Sequence, residues 1–502
     1  MVNSPFLESE NLSFTEFINK LKFRRQFLLG PKEFKPTEDW NSLQINHNLI
    51  VSIHPELKTT STISDKKSVI IIGNIVDPLN PHLSISEIVN NIIANGACIE
   101  DVIQGTYALT GRWLLIYQDE NDTGIFTDPC GFRTAYYVFS DDGFWCGSQP
   151  EIINSAKSLE VDDEILLNSF RFSTDRARNE SAWIGNRTIY RNCFHLMPNH
   201  YLKVSQVKQV RFYPIEKLPK INYSTIIDLT STILQGTLEA IAGKQKVLQA
   251  LTAGWDSRVL LAASRNYSNN IEYFIDRKGM LPEEHQDVWV PKSLAKKLGI
   301  NLNIINSIED PPDWFISILS KNVTGARILP KSRTIYHHLV NNETMINING
   351  NGSEICRNFF DKYLQFQNNQ INCEELALII GYPNIQYVVD ELRSWKNSLF
   401  SLGGEKTNIL DYLYWEQRLG NWGAQYPAEQ DIAIEEFSPF NCRMLIETLM
   451  IAPRETRAAP HYTIYRDIIC SMWPEALSIP INPGSDSKIN KIKRIFKPFF
   501  YQ

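Results

Sequence analysis

The chain has 502 residues, 43% of them apolar and 21% charged, with a formal net charge of −6. That length supplies two or three domains with sizeable cores, and acids and bases are interspersed, which excludes a broad basic face and with it a nucleic-acid partner. The opening "MVNSPFLESENLSF" has no apolar segment of signal-peptide length and no apolar run is long enough to cross a bilayer, so the expectation is a cytoplasmic protein with no membrane partner.

Residues 66 to 215 carry successive β-rich runs, among them "KKSVIIIGNIV", "GRWLLIYQDE", "TGIFTD", "TAYYVFS" and "GFWCGS", bounded by Gly, Asp and Asn turns. The proline-containing "RFYPIEKLPKINY" then marks a boundary, giving a β-rich unit over 1–215 and a second unit over 216–502. From Tyr223 helical patterns dominate, with Ile226, Ile227, Ile233, Leu234, Leu238 and Ile241 on one face. Cys98, Cys130, Cys146, Cys193, Cys356, Cys373, Cys442 and Cys470 form no Cys-x-x-Cys pair and no zinc spacing, which reads as buried free thiols.

In "LQALTAGWDSRVLLAAS", Val247–Leu251 reads as a buried strand and Arg258–Ser264 as the first turns of a helix, with small and polar residues between. Gly254 would let the backbone approach a ligand and adopt positive φ, and free N–H groups at the helix start would face an anion. Thr252 and Ser257 add hydroxyl donors. Asp256 beside an anion implies an intervening cation, hence Mg²⁺ with Asp256 as ligand and a pyrophosphate beyond it. The competing reading is an Asp-capped βα turn. Farther on, "YWEQRLGNWGAQYP" places Trp415 and Trp422 at helical spacing with Arg418 between, which reads first as a packed face carrying a stacked arginine.

Taken together, these motifs resemble the asparagine synthetase family. "LTAGWDSR" is similar to its pyrophosphate loop. Asp128, Pro129, Gly131, Tyr136 and Tyr137, with "LMPNHYLKV", are similar to its amidotransferase half. "INGNGSEICRNFF" and "EEFSPFNCRMLIETL" resemble its later synthetase motifs, in the family's order over roughly residues 66 to 485. The resemblance implies an α/β protein with two domains. The first is a layered, β-rich domain like an Ntn-hydrolase, the degenerate amidotransferase; the second is a doubly wound parallel sheet of the adenine nucleotide α-hydrolase type.

It also implies an ATP-dependent amide ligase that adenylates a small-molecule or peptide carboxylate, releases pyrophosphate, and transfers the acyl group to ammonia or an amine. Asp256, Ser257 and Glu354 would be the catalytic residues, Asp256 and Glu354 holding Mg²⁺. Leu251 and Ile275 would flank the adenine, Thr252, Ala253, Gly254 and Ser257 would hold the phosphates, and Asn349, Gly350 and Gly352 would line the nucleotide floor. Asp287 falls where the family has an acidic residue starting a helix; its other reading is a first-turn acid favouring the helix dipole. Asn351, Arg418, Asn421 and Glu435 are weaker substrate contacts.

The departures from the family bear on both activities. The family's glutaminase uses an N-terminal cysteine, where this sequence has Val2 after Met1, and its glutamine-holding Asn-Gly-Glu is replaced by "IGNIVD". Asn351 stands where relatives carry a catalytic Glu or Tyr and cannot accept a proton at neutral pH. The relatives' pyrophosphate-binding Lys falls at Asn482, with Lys488 and Lys491 as substitutes if the loop shifts. The alternative is therefore a nucleotide-binding pseudoenzyme acting as scaffold, either form working as a homodimer or with a pathway partner. A tRNA-thiolating ligase is disfavoured by the net acidity.

Overall fold

Uninterrupted apolar runs such as Val69–Ile72 arise where a strand is covered on both faces, and the first half of the chain is built on that plan. The computed structural model describes residues 13–64, 66–214, 221–323, 331–342, 344–360, 370–404 and 407–483. Its first twelve strands are β1 (Phe27–Gly30), β2 (Asn41–Asn46), β3 (Leu49–Ile53), β4 (Thr59–Ile63), β5 (Ser68–Val76), β6 (Thr110–Gln118), β7 (Thr123–Thr127), β8 (Tyr136–Ser140), β9 (Gly143–Gly147), β10 (Phe194–His195), β11 (His200–Lys203) and β12 (Lys208–Arg211). They form two six-stranded sheets, β10-β8-β9-β1-β3-β2 and β12-β11-β7-β6-β5-β4, in which every pairing is antiparallel.

Alternation along each strand sorts the side chains into layers. Phe27, Leu29, Val51 and Ile53 of one sheet meet Ile70, Ile72, Leu114 and Ile116 of the other. On the outside, Val69, Ile71, Trp113 and Leu115 pack under the helix Ile85–Asn95, while Leu28, Tyr136, Val138 and Trp145 pack under the helix Pro150–Ala156. The result is a four-layer stack of helix, sheet, sheet and helix.

The second half contains β13 (Val247–Ala250), β14 (Ile271–Asp276), β15 (Leu302–Ile305), β16 (Ile346–Ile348) and β17 (Glu435–Phe437), all parallel, in the order β15-β14-β13-β16-β17. The helices Tyr223–Ala242, Trp255–Ala263 and Thr463–Met472 share one core with Val247, Tyr273, Ile346 and Ile348. The opposite face of the sheet carries Leu248 and Phe274, and Phe274 meets His338 of the helix Ser332–Asn341 edge-on at 5.7 Å. The protein is thus mixed α/β, with antiparallel and parallel sheets side by side. Among the described residues no helix is long and apolar enough to cross a membrane.

The chain moves outward from β13 through β14 to β15, then returns to the other side of β13 to form β16 and β17. The order of strands therefore reverses between β13 and β16, and a crevice forms beyond their C-terminal ends, where open parallel sheets hold ligands.

Buried charges tie the two sheet systems together. Arg112 forks onto Asp431 at 2.5 and 2.6 Å, and Arg133 reaches Glu435 at 2.9 Å and Asp431 at 3.3 Å. Arg211 pairs in the same forked manner with Glu416, at 2.7 Å through both nitrogens, and the indole N–H of Trp415 donates to the Pro129 carbonyl. Six of the eight cysteines are buried, all eight are free, and Cys470 is exposed.

Candidate functional site at the strand reversal

Two loops meet in this crevice, 251–254 after β13 and 349–352 after β16. The helix Trp255–Ala263 makes its first intrahelical bond from the Arg258 N–H to the Gly254 carbonyl, so the N–H groups of Trp255, Asp256 and Ser257 lie in the open first turn. The preceding loop is fixed from within. Thr252 Oγ1 lies 3.0 Å from Ser257 Oγ and accepts the Gly254 N–H at 3.2 Å, while the Ala253 N–H donates to Asp287 Oδ1 at 3.0 Å. The loop N–H groups of Thr252, Ala253 and Gly254 are thus already engaged, whereas the three of the first turn have no acceptor within the helix.

Gly254 does not take the positive φ expected of it. Its φ is −80°, an extended cap, and an added Cβ would meet only Thr252 Oγ1 at 3.4 Å and Asn482 Oδ1 at 3.9 Å. Close approach matters instead at Gly350, where a Cβ would fall 2.6 Å from the Asp256 Cβ, and positive φ belongs to Gly352, at +94°. These two glycines bring the second loop against Asp256.

Asp256 accepts a hydrogen bond from Ser353 Oγ and an ion-paired one from Arg357 at 2.9 Å. The same Arg357 nitrogen lies 3.5 Å from Glu354 Oε1, so one guanidinium spans both expected metal ligands. Its face lies over the Tyr462 ring at 5.5 Å, and Tyr465 fixes the turn by donating to the Ser353 carbonyl at 2.9 Å. Burial, and then the negative charge of Asp256, push the Glu354 carboxyl up to about 7 against the pull of Arg357.

Asn349 anchors the second loop at both ends of its amide. Its Nδ2 donates to Glu436 at 2.5 Å and its Oδ1 accepts the Asn351 N–H at 2.9 Å. Glu436 also takes two bonds from Asn347, at 2.9 and 3.1 Å, yet burial dominates these neutral donors and pushes its carboxyl up to about 7. Asn351 spends its carbonyl on Ser438.

The sequence-derived list divides in three. The structure brings together Thr252, Ala253, Gly254, Asp256, Ser257, Asn349, Gly350, Asn351, Gly352 and Glu354. Leu251, just after β13, and Ile275, the last but one residue of β14, are both buried and do not line an open adenine site. Arg418, Asn421 and Glu435 are occupied elsewhere. Arg418 stacks on Trp422 at 4.3 Å, as the packed-face reading had it. Asn421 donates to the Gly185 carbonyl and contacts the His195 ring. Glu435 is ion-paired to Arg133; burial pushes its carboxyl up, but Arg133, Arg112 and Arg25 outweigh it and hold the group low.

Val2, Lys488 and Lys491 lie outside the described residues. Asn482 does reach the first loop, where its backbone N–H donates to the Ala253 carbonyl at 2.9 Å. Sequence reasoning missed Ser353, Arg357 and Glu436. Only Arg357 left a trace, as a base three residues after Glu354.

Mg²⁺ is customarily held by one or two carboxylates together with substrate phosphates, with the remaining positions kept by water. Asp256 and Glu354 supply the right donor type, but the guanidinium of Arg357 already lies against both of them. The residues present do not fit a metal ion at that position. Among the described residues no group of three or more His, Cys, Asp or Glu side chains is placed to hold a metal.

No protein-family model matches the chain, and no curated protein matches it. Among solved structures, the glutamine phosphoribosylpyrophosphate amidotransferase of B. subtilis, complexed with ADP and GMP, is similar at 10% identity and a TM-score of 0.23. That alignment covers 68% of this chain and 73% of that one. A structure described as the allosteric regulatory enzyme of purine biosynthesis is similar at 10% identity and a TM-score of 0.24, over 75% of this chain and 88% of that one.

Proposed function

We propose that the chain is an ATP-using, amide-bond-forming ligase resembling asparagine synthetase, with its amidotransferase-like half inert toward glutamine. The observation that carries this reading is the open first turn of the helix Trp255–Ala263, which faces the 349–354 loop at the reversal of strand order. The β- and γ-phosphates of ATP would lie on the N–H groups of Trp255, Asp256 and Ser257, leaving the α-phosphorus open. A substrate carboxylate would attack it, breaking the bond to the β-phosphate oxygen and forming an acyl-adenylate with pyrophosphate as leaving group. An amine or ammonia would then displace AMP.

The work asked of the protein is positioning and charge stabilisation. The amine must also lose a proton, and Asn351 cannot take it. In the turn that follows the second loop, Glu354 has its carboxyl pushed up to about 7, and it is the base in this reading. Silence of the first half toward glutamine is supported by Asn74 in "IGNIVD", which is buried and spends its side chain on Glu435.

The test is isotope exchange between pyrophosphate and ATP across a panel of carboxylates, sugar acids and peptides, with Asp256→Asn as control. Exchange with AMP as final product supports the ligase, and ADP as product rejects it. ATP binding with silence across the panel favours the nucleotide-binding scaffold. One observation supports that second reading: at the expected lysine position, Asn482 offers the loop a backbone N–H in place of a charge.

A further inference from the structure

We propose that Arg357 is the resident cation of this site, its guanidinium taking the place between Asp256 and Glu354 that a protein-held divalent metal would need. This deepens the nucleotide-site reading above and rests on it for the identity of the ligand. It does not rest on it for the exclusion of the metal.

Four observations converge. First, the two carboxylates lie within reach of a single nitrogen, and Gly350 lets the second loop close onto the Asp256 Cβ. Two carboxylates so placed repel unless a cation lies between them. Second, Arg357 supplies that cation, at 2.9 Å from Asp256 and 3.5 Å from Glu354. Third, it is held in place by its surroundings: its side chain is 16% exposed, lies over Tyr462, and springs from a turn fixed by the Tyr465 hydroxyl. Fourth, its Nε–H is buried with no acceptor among the described residues, so the guanidinium retains a donor that none of them uses.

A guanidinium differs from Mg²⁺ in ways that matter here. It cannot be chelated away, it carries one charge in place of two, and it presents its donors in a plane suited to phosphate oxygens. A polyphosphate would therefore be received by the first-turn N–H groups and by Arg357, with no metal bridging phosphate to protein.

Two measurements test this on the full chain. The first needs no nucleotide: Mn²⁺ is titrated by electron paramagnetic resonance into the parent, Asp256→Asn, Arg357→Met and Arg357→Lys. The parent and Asp256→Asn should bind Mn²⁺ alike. Arg357→Met should gain a site that Asp256→Asn, added to it, removes, and Arg357→Lys should gain none. An Mn²⁺ site in the parent that is lost in Asp256→Asn overturns the proposal, and so does failure of a folded Arg357→Met to gain one. Should Arg357→Met not fold, parent against Asp256→Asn decides the matter alone.

The second measurement is calorimetry with ATP in excess EDTA and in Mg²⁺. The parent should bind equally in both. Arg357→Met should lose about 10- to 100-fold in EDTA, the worth of one charge-assisted hydrogen bond, and recover part of it in Mg²⁺. Binding by the parent only in Mg²⁺ overturns the proposal. If the parent binds ATP in neither medium, the nucleotide-site reading fails, and the Mn²⁺ titration still decides whether Arg357 holds the metal position.

Discussion

The seam between the sheet systems and the crevice beyond β13 and β16 both bury acids beside bases, but their charge is balanced differently. In the seam Asp431 meets Arg112 and Arg133, and Glu435 meets Arg133, so buried carboxylate and guanidinium match in number and in geometry. In the crevice one guanidinium serves two carboxylates, and the hydrogen-bond donors to Glu436 among the described residues are the neutral amides of Asn347 and Asn349. The proton affinities follow. Glu435 is held low by its arginines despite burial, whereas Glu354 and Glu436, with burial dominant, are pushed up to about 7. A matched cluster has little to gain from a further ligand. An undermatched one, open at a helix N-terminus, is where function is expected.

The largest effect should separate the two regions by stability. Asp431→Ala leaves Arg112 without its carboxylate and Arg133 with one carboxylate of two, both guanidiniums buried, and should cost about 3–5 kcal/mol in chemical unfolding. Asp256→Asn keeps an acceptor for Ser353 at a site about one quarter exposed, and should cost no more than about 1 kcal/mol. Equal losses would show that the crevice cluster is structural in the same sense as the seam.

A smaller effect separates them by pH. The folded carboxyl of Glu436 titrates near 7 while the unfolded one titrates near its ordinary value of 4.5, so the folded state holds the extra proton between them. Its contribution is fully present below the unfolded value and is lost as pH rises toward 7, at up to about 1.4 kcal/mol per pH unit. Glu436→Gln should flatten that slope. Glu435 has the opposite sign: its folded carboxyl is held low, so its contribution is present above 4.5 and lost as pH falls. Unfolding free energies of parent, Glu436→Gln and Glu435→Gln from pH 4 to 8 check both. A Glu436→Gln profile parallel to the parent's would remove the contrast.

Local features of the crevice were legible because they are written in consecutive residues. Val247, Gly254 and Arg258 announce strand, turn and helix, and the runs at Val69–Ile72 and Leu114–Tyr117 announce strands. What the sequence hid is pairing at a distance. Arg357 lies 101 residues from Asp256 and Glu436 lies 87 from Asn349, and no periodicity links them. Glu435 misled for the same reason: as an acid next to a family motif it looked available, but its neighbour in β17, Glu436, points the other way, to Asn347 and Asn349, while Glu435 turns to Arg133. Gly254 was read for its conformational freedom, whereas the fold uses that freedom at Gly352 and the missing side chain at Gly350.

The smallest expected effect concerns Asp287, where the two readings of the sequence differ in what they ask of the charge. If Asp287 served only the dipole of the helix Gln286–Leu298, its charge would matter and its geometry would not. Its Oδ1 instead accepts the Ala253 N–H at 3.0 Å, across 34 residues, and so pins the first loop beside the open turn. Asp287→Ala should therefore cost about 1 kcal/mol and speed hydrogen exchange at the Ala253 amide. Asp287→Asn keeps an acceptor oxygen and should preserve most of that protection. Exchange measured by mass spectrometry on peptides spanning 248–258 decides between them. Asparagine behaving like alanine would assign the residue to charge, and the crevice would then be undermatched by design of its loops alone, with no contribution from the neighbouring helix.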